Sequence, residues 1–318
     1  MQWGMDTMLH LDTPLLRTDG ANASGRPLWL KMDALQPSGS FKLRGIGLLC
    51  AQAVRDGARA IVCASGGNAG FAAAYAGQRL GVAVTIVVPT TSSIEARTAI
   101  AATGASVQVH GAAFDEAHLH AQALAAAQDA AYVHPFDHPL LWEGHATLID
   151  EVVAAGATFD CVVTAVGGGG LLAGIVEGLR RNGLAHVPVI AAETEGAASL
   201  HASLTAGELV TLPAITSIAT SLGARRVAPH VFQLARTAPI TSVTVTDAQA
   251  VAACLAFADA QRVLVEPACG AALAVVDAHP ALLGRFRQPL IEVCGGIGVS
   301  LAALETWRRQ FVPACDRP

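Results

Sequence analysis

The chain has 318 residues, of which 53% are hydrophobic and 14% charged, with a formal net charge of −5 at pH 7. That length suits one large or two medium domains, and the balance of residues excludes a disordered chain. No basic block is present, which excludes electrostatic partnership with nucleic acid or a polybasic membrane-surface site.

In chain order, "LWLKMDALQ" (28–36) reads as a strand edge carrying Lys31. "PSGSFKLRG" (37–45) then brings the chain through small polar residues to Phe41, Lys42 and Arg44. Of the 20 basic side chains only Lys31 and Lys42 are lysines. Arginine does not readily lose its proton, so amine chemistry falls to one of these two or to the chain terminus, and Lys42 is the candidate.

A βαβαβα rhythm follows. "RAIVCAS" (59–65) is a short buried strand, "GNAGFAAAYAGQRLG" (67–81) an Ala-rich helix and "VAVTIVVP" (82–89) a second strand. The spacing predicts a helix over 92–104, with Ser92 and Glu95 as a capping box and Gly104 as its stop. "ASVQVHG" (105–111) is a third strand and "FDEAHLHAQALAAAQDA" (114–130) a third helix. "HPFDHPLLWEG" (134–144), with two prolines, is the candidate crossing between domains. The rhythm resumes with the strand "TFDCVVTAVG", the helix "GLLAGIVEGLRRNG" and the strand "VPVIAAET", and later with "ALAVVDAHPALLG" and the strand "PLIEVCGG". Such alternation implies parallel sheets covered by helices, with ligands beyond the carboxyl ends of the strands.

Seven dispersed cysteines, without a CxxC pair and odd in number, argue against a disulfide framework or zinc knuckle. The reading is buried reduced thiols and a cytoplasmic setting. "MQWGMDTMLHLDTP" lacks the pattern of a signal peptide. The longest apolar run, 161–176, is short of a membrane span and is interrupted by "GGGG", so no membrane association is expected. The histidines form no HExxH or Cys/His cluster. His118 and His120 point to different helix faces, His134 and His138 lie in a proline-bounded loop, and His145 follows "WEG"; none is read as a metal ligand. No G-x-S-x-G elbow supports a serine hydrolase.

Three strand ends finish in small residues: "CASGGNAG", "AVGGGGLLAG" and "EVCGG". "GGGGLL" (167–172) sits between a strand and a helix, where free N–H groups can meet a phosphate. Two ligands fit this loop. Gly168, Gly170 and Ala173 match G-x-G-x-x-A, with Glu193 at the spacing of a ribose acid, as in a dinucleotide site. A phosphate loop, a rare lysine and an adjacent aromatic ring instead suggest pyridoxal phosphate, whose aldehyde needs an amine and whose ring needs apolar walls.

Taken together and in order, "DTPLL", "PSGSFKLRG", "SGGNAGFAAAYA", "VTIVVP", "HPFDHPLLWEGHATL", "VGGGGLLAG", "ITSIATSLGA", "VEPACGAALA" and "CGG" resemble the serine/threonine dehydratase family of fold-type II pyridoxal-phosphate enzymes, most nearly the L-serine dehydratases and serine-dehydratase-like proteins. The resemblance covers nearly the whole chain. It implies an α/β fold with two open, twisted, mostly parallel sheets flanked by helices. The implied domains are a large cofactor-binding one over 1–34 and 139–318 and a small one over 35–138.

The same resemblance implies roles by residue. Lys42 is the Schiff-base lysine and general base; Phe41 packs on the pyridine ring; Asn68 bonds the cofactor's 3′ oxygen. Ser65, Gly66, Gly67 and Asn68 receive the substrate carboxylate, Ser65 being counted with the catalytic residues. Gly167, Gly168, Gly169, Gly170 and Leu171 cradle the phosphate, and Cys294 faces the pyridine nitrogen. Glu193, Ser199 and backbone carbonyls near Ala197, Leu222 and Ala224 hold a monovalent cation such as K⁺. Ala224 is also the residue expected where a racemase would carry a second base, and alanine cannot serve as one. The implied reaction is β-elimination from L-serine or L-threonine, to pyruvate or 2-oxobutanoate and ammonia. The expected partners are a small amino acid and a second copy of the chain in a homodimer. Serine racemase, β-replacement and a non-catalytic binder of the same fold are the rivals.

Overall fold

The computed structural model describes residues 8–19, 27–92 and 94–312. Among them, in chain order, lie β1 (Leu15–Asp19), β2 (Pro27–Lys31), α1 (Lys42–Arg55), β3 (Ala60–Ala64), α2 (Asn68–Leu80), β4 (Ala83–Val88), α3 (Ile94–Ala101), β5 (Ser106–Val109), α4 (Phe114–Ala127), β6 (Ala131–Val133) and α5 (Pro139–Ala154). They are followed by β7 (Cys161–Ala165), α6 (Gly170–Arg181), β8 (Val189–Thr194), α7 (Ser199–Ala206), α8 (Pro229–Thr237), β9 (Ile240–Val245), α9 (Asp247–Gln261), α10 (Pro267–Ala278), α11 (Pro280–Leu283), β10 (Pro289–Glu292) and α12 (Leu301–Phe311).

Two compact units result. The smaller holds residues 36–145 together with the segment ending at Leu11, and the larger holds residues 12–35 and 146 onward. The smaller unit carries four strands in the order β5-β4-β3-β6, all parallel. Its sequence explains its layers. Ile61 and Cys63 of β3 face one way, into a core with Ile46, Cys50 and Ala72, while Val62 and Ala64 face the other. There they meet Ala117, Ala121 and Ala125, one small-residue stripe of α4 at helical spacing. The larger unit carries six strands in the order β1-β2-β10-β7-β8-β9, parallel except for the β1–β2 pair. All of β7 and β8 is buried, as expected of strands covered on both faces.

The structure revises several expectations. β2 pairs with β1 on one side and β10 on the other, so Lys31 does not lie on a sheet edge. "HPFDHPLLWEG" leads into a helix, Pro139 opening α5, and the passage between the two units follows directly after it. Proline suits that first position because the N–H it lacks has no helical acceptor there. The division between units falls within α5, after His145, so residues 139–145 lie with the smaller unit. Their packing gives the reason. A Cβ on Gly144 would lie 2.6 Å from the Gly45 Cα, and one on Gly45 would lie 2.6 Å from the Leu141 carbonyl oxygen, so α1 and α5 touch backbone to backbone. The side chain of Glu95 lies outside the described residues, and with it the expected capping box.

Gly144→Ala forces α1 and α5 apart and is expected to destabilise the protein by about 1–3 kcal/mol. Urea unfolding of the full chain measures this, and an unchanged midpoint would mean that the helices separate without cost.

Candidate active site

In the smaller unit the candidate residues stand on two helix N-termini. Lys42 is the first residue of α1, with Phe41 at the N-cap position. The Lys42 Nζ donates to the Pro135 carbonyl at 2.7 Å and lies 5.1 Å from the centre of the Phe41 ring. Behind Phe41 lies His145, fully buried, with ring centres 4.9 Å apart. Burial, then Lys42, Arg44 and His10, push the His145 pKa well below the ordinary value, so this imidazole is neutral.

The second N-terminus is that of α2, reached from the carboxyl end of β3 through Ser65, Gly66 and Gly67. The Ser65 hydroxyl accepts the N–H of Gly67 at 3.2 Å, which shapes the loop, and Asn68 is buried at the first helical position. Gly66 is constrained by a neighbour the sequence did not reveal. A Cβ there would collide with the Ser92 hydroxyl and lie 3.0 Å from the Ser92 Cβ. Rotation of Ser92 relieves the first contact but leaves the second.

Lys31, the other lysine, is set apart by its surroundings. In the larger unit it is 1% exposed, ion-paired with Glu151 and bonded to the Thr13 carbonyl at 2.6 Å. Its role is structural.

The larger unit presents the glycine loop at the carboxyl end of β7. Gly169 adopts φ +91°, and a Cβ on it would lie 2.6 Å from Val231 Cγ1. A Cβ on Gly167 would lie 3.0 Å from the Leu222 Cα. Gly167, Gly168 and Gly169 donate to no backbone carbonyl among the described residues. The first-turn N–H groups of α6 have no intrahelical acceptor by helix geometry. The result is a cradle of donors for an anion such as a phosphate.

Cys294 follows β10 and is buried. A hydrogen bond with Cys269, then burial, holds its thiol well above the ordinary range, so it is neutral. The six described cysteines are all buried and unpaired in disulfides.

Glu193, the penultimate residue of β8, is fully buried. Its two oxygens accept the N–H groups of Leu200 at 2.9 Å and His201 at 2.8 Å, capping α7. Burial pushes its pKa up to about 7, against the opposing pull of those N–H groups. A carboxylate so placed is inaccessible to a ribose, which removes the support for a dinucleotide site. Nearby in the chain, the Ser199 hydroxyl is buried without a hydrogen-bond partner among the described residues. Ala197 and Leu222 are buried, and Leu222 and Ala224 lie in a 3₁₀ turn and the residues just after it.

These features define a fold-type II pyridoxal-phosphate enzyme: two mostly parallel open sheets, an amine at a helix start and a phosphate-compatible glycine loop. The chain matches the family described as "Pyridoxal-phosphate dependent enzyme" over residues 7–295, and it belongs to that family. It is 46% identical over 310 residues to the serine dehydratase-like protein of Homo sapiens, covering 93% of this chain and 94% of the relative. It is 46% identical over 314 residues to the human L-serine dehydratase/L-threonine deaminase, covering 95% and 96%. The crystal structure of an L-serine ammonia-lyase from the fungus Rhizomucor miehei matches with a TM-score of 0.89 at 35% identity, covering 95% of this chain and 99% of that one.

A methyl group at position 66 crowds Ser92 and forces the loop to shift. Gly66→Ala is therefore expected to lower kcat/KM for the bulkier L-threonine relative to L-serine, the two amino acids named for the relatives, by about threefold or more. Steady-state kinetics on both decide it, and an unchanged ratio would sink the idea.

Proposed function

We propose that the chain is a pyridoxal-phosphate-dependent ammonia-lyase that converts L-serine and L-threonine to 2-oxo acids and ammonia. The observation that carries this is the contrast between its two lysines. Lys31 is locked to Glu151, whereas Lys42 stands at a helix start and donates to a neutral carbonyl.

Pyridoxal phosphate, when bound, supplies an electron sink that acidifies the hydrogen on the substrate Cα. Lys42 would hold its aldehyde, Phe41 a ring face, Asn68 its 3′ oxygen, and Gly167 to Leu171 its phosphate. The glycine cradle and its unengaged N–H groups support the last assignment. The neutral Cys294 thiol would face the pyridine nitrogen. It supplies no carboxylate charge to keep that nitrogen protonated, which favours prompt loss of a β leaving group over transamination.

The chain's own groups then divide the work. Ser65, Gly66, Gly67 and Asn68 receive the substrate carboxylate, using the helix N-terminus. The Lys42 amine takes the α-proton as general base. The substrate hydroxyl leaves as water, and hydrolysis releases ammonia and the 2-oxo acid. Ala224, in the position read as facing the opposite side of Cα, has no proton to give, which supports elimination over racemisation.

Glu193, Ser199 and the carbonyls of Ala197, Leu222 and Ala224 would hold a monovalent cation. The unpartnered Ser199 hydroxyl supports this. Six buried, unoxidised thiols support a cytoplasmic setting, and a homodimer is expected from the family resemblance.

Two experiments test the reading. The purified protein should be yellow. Borohydride should fix the cofactor to the peptide containing Lys42, and Lys42→Ala should lower pyruvate formation from L-serine by at least about a hundredfold. A protein that pyridoxal phosphate cannot colour, or D-serine as the main product, would overturn it. For the cation, potassium chloride should raise the unfolding temperature and turnover above those in equal tetramethylammonium chloride, and Glu193→Gln should abolish the difference. Equal behaviour in both salts would remove the cation.

A further inference from the structure

The turn between β6 and α5 carries a histidine that the reaction scheme leaves unused. His134 Nδ1 accepts two backbone N–H groups, from Phe136 at 3.2 Å and from Asp137 at 2.9 Å. Two donors at one nitrogen require its lone pair, so the ring proton of the neutral imidazole sits on Nε2. An asparagine oxygen can make the same pair of bonds, to residues two and three further on, in an Asx turn. From the other side, Trp142 Nε1 donates to the Phe136 carbonyl at 3.2 Å. Within this tied turn lies Pro135, buried and with its φ fixed by its ring. Its carbonyl is the acceptor of the Lys42 amine at 2.7 Å.

We infer that His134 is a positioning residue for the Lys42 amine, holding the turn whose Pro135 carbonyl receives it. The inference rests on the reading of Lys42 as the general base. A lysine amine ends a flexible four-carbon stem. When one N–H is held by a fixed carbonyl, the direction of the nitrogen lone pair is restricted, as proton abstraction at a single carbon requires. The acceptor state of His134 persists at neutral pH. Burial, then His118 on α4, Lys42 on α1 and His138 at the start of α5, lower its pKa to about 4. His118 is itself bonded to the Tyr132 hydroxyl at 2.5 Å. His138 has a separate task, accepting the Leu140 N–H at 3.1 Å at the start of α5.

The test uses the full-length holoenzyme with His134→Leu, His134→Asn and Trp142→Phe. In His134→Leu, kcat on L-serine should fall about tenfold or more, the scale of effect a misplaced reacting group produces. KM should stay near the wild-type value, and borohydride should still fix the cofactor to Lys42. His134→Asn should restore kcat, because its oxygen can accept the same two N–H groups. Trp142→Phe should give a smaller fall of the same kind, and serves if the leucine variant does not fold.

A second readout needs no turnover. In the cofactor-free full chain, trinitrobenzenesulfonate should modify Lys42 faster in His134→Leu than in wild type or His134→Asn. The inference is overturned if the leucine and phenylalanine variants keep wild-type kcat and amine reactivity, if asparagine fails to restore them, or if the loss falls on KM. A wild-type adduct that maps away from Lys42 would instead sink the reading of Lys42 itself.

Discussion

The smaller unit depends on one contact, the backbone-to-backbone approach of α1 and α5 at Gly45 and Gly144. Neither helix tolerates a methyl group there without moving. Because Lys42 and Phe41 open α1 and the Pro135 carbonyl lies just before α5, the contact sets the distance between the amine and its acceptor. The same stretch of α5 carries His145, whose ring centre lies 4.9 Å from that of Phe41. Glycine is intrinsically costly inside a helix; here it serves close packing rather than backbone freedom.

The same economy governs buried charge. The larger unit buries Lys31 with Glu151, and Glu193 beneath the first turn of α7, each with its polar partners in place. Cys294 is neutral for a different reason, since a hydrogen bond with another thiol and burial both oppose its ionisation. The groups around the candidate site therefore differ in charge: the Cys294 thiol and the His134 and His145 imidazoles are neutral, while burial raises the Glu193 carboxyl to a pKa of about 7.

Much of this was legible in the sequence because it depends on local pattern. Short β-branched runs alternating with Ala-rich helical stretches marked β3, α2, β4, β5, α4, β7, α6, β8 and β10. The small residues at three strand ends marked the loops that matter. The scarcity of lysine singled out Lys42. Other features had no local signature. α5 was missed because two prolines read as a break, although Pro139 starts a helix. β6 is only three residues long, and β9 was passed over despite its alternating pattern. Glu193 fitted two ligand readings at the same spacing, and only its bonds to Leu200 and His201 separate them. The Pro135 carbonyl is a backbone group, and nothing in a sequence says which way a carbonyl points. Ser92 stands far from Gly66 along the chain and meets it only because β3 and β4 are neighbours.

The Gly66–Ser92 contact also bears on how this protein can change over generations. A methyl group at 66 and a hydroxymethyl group at 92 compete for one volume. The effect of either substitution therefore depends on whether the other has already occurred. Loss of the side chain at 92 opens a path to alanine at 66, while the reverse order passes through a crowded intermediate. The two positions form an epistatic pair, and passage between the two loop shapes is expected to run through the state that lacks a side chain at both positions.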